Sequence, residues 1–92
     1  MVVNKPIVNV EFFGIPRQRA GIDRLTVSAA NISELLQKLV IEFPQFNGLV
    51  NSDGQLAKEY LLAVNRERFV GNLQEPLNPD ENLIILSADA GG

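Results

Sequence analysis

The chain has 92 residues, 46% hydrophobic and 21% charged, with a formal net charge of −3 and no Cys, His or Trp. That is the size and composition of one small globular domain, and the acidic balance argues against a surface that tracks nucleic-acid phosphates. Without Cys or His these residues hold no disulfide, thiolate nucleophile, sulfur-ligated metal, or Ser–His–Asp or Cys–His arrangement.

Such a domain is expected not to be an enzyme on its own and to bind no metal. The longest apolar runs, 60–64 and 83–86, are far too short to span a bilayer. Lys5 and its few apolar neighbours do not make a signal peptide. The expectation is a cytoplasmic protein with no membrane partner.

No internal repeat, low-complexity tract or linker divides the chain. Residues 2–13 read as a first strand, with Val8, Val10 and Phe12 on one face and Ile7, Asn9, Glu11 and Phe13 on the other. Gly14, Pro16 and Gly21 punctuate a connecting loop that carries Arg17 and Arg19, both expected to be solvated. Residues 23–28 alternate as a short second strand, so an antiparallel hairpin is expected.

The clearest helix follows. Asn31 suits an N-cap, and Glu34 stands in the capping-box position. Ile32, Leu35, Leu36, Leu39, Val40 and Phe43 form one apolar stripe that Pro44 ends. Asn47-Gly48 and residues 51–54 mark a loop; Asp53-Gly54 reads as a turn, because one carboxylate lacks the alternating ligands of a calcium site.

Residues 60–65 are a strand, and Arg66-Glu67 form a tight turn into a brief strand around 68–70. Pro76, Pro79 and Asp80 break the chain, with Asp80 and Glu81 expected on the surface. Residues 83–88 are the last strand. Strands before and after one helix predict an α+β domain, the helix packed on one face of a sheet whose first and last strands lie parallel.

The last strand departs from simple alternation. Leu83, Ile84, Ile85 and Leu86 place apolar side chains on both faces, yet one helix covers only one. Phe13, Leu61, Ile84 and Leu86 all fall out of phase with the helix-facing set. Either they form an uncovered apolar patch of the kind that meets partners, or the loop 44–59 folds over them.

The chain ends Ala90-Gly91-Gly92. Glycines without a Cβ allow an extended tail to thread a narrow channel and leave a terminal carboxylate open to attack. A frayed terminus is the plain alternative.

The segment Leu61-Leu62-Ala63-Val64-Asn65, the stretch 76–81 before an apolar strand, Val10-Glu11-Phe12-Phe13-Gly14 and the final Ala90-Gly91-Gly92 together resemble the MoaD/ThiS sulfur-carrier family. Within it they most resemble the small subunit of molybdopterin synthase. The resemblance spans essentially the whole chain, and the LLAVN strand and Gly-Gly end are its specific parts.

It implies a ubiquitin-like β-grasp fold over residues 1–88, with a mixed four- to five-stranded sheet packed on one main helix. Residues 89–92 would be a flexible tail. It further implies an E1-like adenylating enzyme that uses ATP to activate the carboxylate of Gly92, and a sulfur donor that converts the acyl-adenylate to a thiocarboxylate. Ala90 and Gly91 would thread the tail into a molybdopterin synthase large subunit, within a heterotetramer.

Phe13, Leu61, Phe69, Ile84 and Leu86 would meet partners. No cofactor would be bound by the chain itself. The same resemblance admits a ubiquitin-like modifier joined to a lysine through Gly92, or a carrier for thiazole, cysteine or tRNA thiolation. Two departures stand out: Pro79-Asp80-Glu81 replaces the family's Gly-Asp-Glu, and Asp89 puts a carboxylate in a tail that the family keeps apolar.

Overall fold

The computed structural model describes residues 5–88. The elements are β1 (Ile7–Phe12), α1 (Ile15–Ala20), β2 (Arg24–Ser28), α2 (Ile32–Glu42), β3 (Tyr60–Val64), β4 (Arg68–Phe69) and β5 (Asn82–Ser87). The strands form one mixed sheet in the order β2-β1-β5-β3-β4. β1 pairs antiparallel with β2 and parallel with β5, while β3 runs antiparallel to both β5 and β4. The hairpin and the parallel pairing of first and last strands are as the alternation predicts. β5 is flanked on both sides, so the strand that leads into the C-terminal residues is the middle of the sheet.

One face of the sheet supplies Val8, Val10, Phe12, Leu62, Val64, Leu83 and Ile85 to a single core. Against it lie Ile32, Leu35, Leu36 and Leu39 of α2, all essentially buried, with Val40 and Phe43 half-buried at the stripe's edge. Each such side chain contributes roughly 1.5–3 kcal/mol of burial before entropy is subtracted.

The loop after α2 belongs to this same side. Phe46, in a 3-10 turn at Pro44–Phe46, stacks on Phe12 at 5.6 Å. Phe43 meets both rings edge-on at 6.0 and 6.1 Å, and Leu49 and Ala57 complete the layer. Residues 44–59 therefore cover the helix side and leave the opposite sheet face uncovered.

The start of α2 is fully satisfied. Asn31 Oδ1 accepts the Glu34 amide at 2.8 Å, and Glu34 Oε1 accepts the Ala30 amide at 2.7 Å. The capping box thus closes one residue earlier than the standard pattern. The amides of Ile32 and Ser33 donate to the carbonyls of Glu75 and Leu73, so the returning loop caps what the side chains do not. Lys5 pairs with Glu34 at 2.6 Å; this hydrogen bond and the Ala30 amide hold the Glu34 carboxyl below its usual range. Asn31→Ala is expected to cost about 1 kcal/mol, a drop of roughly 4–8 °C in a thermal melt, and Asn31→Asp to restore it.

The segment expected as a loop after β1 is instead a short helix. Pro16 sits in its first turn, and Gly21 ends it in the left-handed region at φ 77°, the usual division of labour between the two residues. Arg17 pairs with Asp23 at 2.6 Å. Arg19 is half-buried rather than fully solvated: its guanidinium lies 5.7 Å from the Tyr60 ring centroid and hydrogen-bonds the phenol oxygen.

The other departure in sequence also has a geometry. Pro79 and Asp80 are the central residues of a turn closed by the Glu81 amide on Asn78 O, with Asp80 at φ 65°. Glu81 returns its carboxylate to the Asn78 amide at 2.9 Å and is half-buried, so its role is to hold the turn.

Candidate protein-docking face

The uncovered face of the sheet is built by the residues that alternate away from the core. Register places Leu61 opposite Leu86, Ala63 opposite Ile84, and Phe69 opposite Ala63. With Phe13, which follows β1 and donates its amide to Ile85 O at 3.0 Å, these side chains bring together β1, β5, β3 and β4.

A groove of about 330 Å³ opens here, floored by Ile84 and Ala63 and bordered by Phe13, Phe69, Leu86 and Arg66. Phe69 is 66% exposed and Phe13 39%, while Ile84 is only 6% exposed. Ile84 therefore shapes the floor and offers little area of its own. Leu61 and Leu86 are half-buried; Leu61 lies across from Leu86 in register and outside the groove's lining.

The rim is charged and internally paired. Arg68 donates through both terminal nitrogens to the two carboxylate oxygens of Glu75. That contact holds the Glu75 carboxyl below the usual carboxylate range and raises Arg68. On the other side, Asn82 Nδ2 donates to Glu11 Oε1 at 2.9 Å, and Arg66 Nη2 lies 3.4 Å from the same oxygen. The Asn82 hydrogen bond, then Arg66 and Arg24, keep Glu11 ionised below its ordinary range. Periodicity flags Phe13, Leu61, Ile84 and Leu86, whereas Phe69 is reached only through the family resemblance. The Glu11 side of the rim is assembled by pairings across 55 and 71 residues of chain, which no local pattern carries.

Beyond this face β5 approaches the end of the described residues. Ser87 is opposite Tyr60, and the Ala88 amide donates to Glu59 O at 2.8 Å. Asp89 and the sequence-predicted Ala90, Gly91 and Gly92 lie outside the described residues. Among the described residues no helix is long and apolar enough to cross a membrane.

No family model matches the chain, and no curated protein matches its sequence. Solved structures do match its fold. The small archaeal modifier protein 1 of Methanosarcina acetivorans superposes with a TM-score of 0.80 at 20% identity, covering 98% of this chain and 100% of that one. A chain of the BexX/CysO complex of Amycolatopsis orientalis matches with a TM-score of 0.77 at 22% identity, over 92% and 99% of the two chains. A chain from the complex of subunits 1 and 2 of the molybdopterin-converting factor of Helicobacter pylori matches at 0.64 and 21% identity, over 94% and 99%. The shared architecture is the ubiquitin-like β-grasp, here with five strands, the long helix α2 and the short α1.

Proposed function

We propose that this chain is a cytoplasmic sulfur carrier of the MoaD/ThiS kind, working in molybdopterin formation as the small subunit of a two-protein synthase. The observation that carries the reading is one of placement. The central strand β5, paired on both sides, runs on through Ala88 into the sequence Asp89-Ala90-Gly91-Gly92, beside a sheet face that helix and loop leave open. The body is then a recognition handle and the tail carries the chemistry.

In that chemistry an E1-like enzyme joins the Gly92 carboxylate to the α-phosphorus of ATP and releases pyrophosphate. A sulfur donor at the oxidation level of hydrosulfide attacks the acyl carbon through sulfur, expels AMP and loses its proton, leaving a thiocarboxylate. The large subunit of the synthase, in a heterotetramer, receives the tail, and the sulfur passes to a pterin precursor. ATP and sulfur donor belong to the activating partner. Phe13, Phe69 and Leu86 supply the apolar contacts, with Ile84 beneath them, and Leu61 extends the surface. Support comes from the fold shared with a chain of the two-subunit molybdopterin-converting factor.

A second reading has its own support, because the structure of an archaeal modifier protein matches the fold with the higher TM-score, 0.80 against 0.64. There the same acyl-adenylate would end as an isopeptide bond to a lysine. Intact-mass spectrometry of the chain, purified from a host with a sulfur-charging system, separates the two. The carrier reading expects a mass increase equal to the exchange of one oxygen for sulfur. Lysine-linked adducts on other proteins with no such shift would overturn it in favour of the modifier.

A further inference from the structure

Arg66 occupies a backbone position that suits arginine poorly. In the hairpin joining β3 to β4, Asn65 and Arg66 have φ of 54° and 59°, and the Glu67 amide donates to Val64 O at 3.0 Å. This is a two-residue turn with both central residues left-handed, where Asn is tolerated at the first and glycine favoured at the second. A side chain held in such a region marks a place where the surroundings over-determine the backbone, and such places gather at functional sites. The turn itself is pinned by its neighbour: the Asn65 amide donates to Asn82 O at 2.7 Å, and Asn65 Oδ1 accepts the Asn82 amide at 2.9 Å. The Arg66 side chain is not what makes the turn.

What that side chain does is cover Phe13, with its guanidinium carbon 5.7 Å from the ring centroid. It also reaches Glu11 at 3.4 Å, the long limit of a hydrogen bond, while 65% exposed. Glu11 does not depend on it. The same carboxylate oxygen accepts Asn82 Nδ2 at 2.9 Å, and Arg24 faces Glu11 across the strand pair. Arg68, the other arginine lining the groove, is committed to Glu75 through two hydrogen bonds. One groove arginine is therefore locked, and the other is loosely held and can leave without stranding its partner. Glu67 also lines the groove and opposes a run of acids, so the balance suits a single carboxylate.

The geometry points to Arg66 as a specificity-determining residue of this face: it swings off Phe13 and Glu11 to take one carboxylate of a protein partner, whose adjacent apolar side chain then fills the groove above Ile84. The occupant is a segment of the adenylating enzyme with an apolar anchor flanked by one acid. This rests on the carrier reading. An exposed charge of this type acts on association and its salt dependence more than on the bound chemistry.

The test is ATP–pyrophosphate exchange driven by the full chain with its adenylating enzyme, at low and high salt, beside a thermal melt of each variant. Arg66→Gly is expected to raise KM at low salt by about three- to tenfold, leave kcat unchanged and flatten the salt dependence. Its melting temperature stays equal or rises, because glycine relieves the left-handed strain. Arg66→Lys retains most of the salt dependence. Exchange that proceeds with the same KM and salt slope for Arg66→Gly overturns the inference and leaves the carrier reading standing. So does a KM rise accompanied by a fall in melting temperature that Arg66→Lys shares, which assigns Arg66 a structural role. If the unaltered chain drives no exchange, the carrier reading fails and the inference falls with it.

Discussion

Deleting Gly92 is expected to abolish sulfur loading completely, while the truncated chain melts where the full chain does. The expected loss is total because, on the carrier reading, this residue supplies the reacting carboxylate: once it is gone, Gly91 would present its own carboxylate one residue short of the reacting position. A positioning error of that size removes the near-attack geometry on which such transfer depends. The melt is expected to be unaffected because Gly92 has no side chain to bury and the described core is complete without it.

The same truncation also separates handle from tail. With its docking face retained, it is expected to compete with the full chain for the adenylating enzyme and to inhibit loading as its concentration rises. Intact mass reports the loading, and pyrophosphate exchange in mixtures of the two chains reports the competition. A truncated chain that still gains sulfur, or that fails to compete, contradicts the division between body and tail.

How much of this was legible beforehand depends on whether a residue's role is local. The helix α2 could be read to its ends, because a cap at Asn31, a stripe of period 3.6 and a terminating proline at Pro44 lie close together in sequence. β1, β2, β3 and β5 follow from alternation, and the out-of-phase Phe13, Ile84 and Leu86 follow from the same rule.

By contrast α1 has six residues and buries only Pro16, too few for any periodicity to show. Its proline and glycine mark helix ends as readily as they mark a loop, and that end-asymmetry was the one available signal. Phe46, Leu49 and Ala57 enter the core from a segment of turns, where spacing carries no information. Arg66 is legible only as a turn residue, since its partners Glu11 and Phe13 reach it through the parallel pairing of β1 with β5 and the antiparallel pairing of β5 with β3. Arg19 becomes a packing residue only once α1 exists to bring it to Tyr60.

The adjacent pair Phe12 and Phe13 offers the sharpest separation of fold from function, because alternation at the end of β1 sends the last strand residue and the one after it to opposite faces. Phe12 is 2% exposed, stacked on Phe46 and edge-on to Phe43. Phe12→Ala is expected to cost about 3–5 kcal/mol, a large part of the roughly 5–15 kcal/mol that holds a domain folded. Denaturant titration should place its midpoint far below that of the parent, with the slope little changed.

Phe13 is 39% exposed and touches the groove and Arg66. Phe13→Ala should stay within about 1 kcal/mol of the parent in stability, yet weaken docking by about 2 kcal/mol or more, roughly thirtyfold in affinity, as aromatic anchors at the centre of interfaces do. The two titrations are read together. Equal destabilisation by both substitutions would mean that the outer face is a second core, covered in the working protein by something other than a partner. A Phe13→Ala chain that is stable and docks normally would move the contact surface away from this groove altogether.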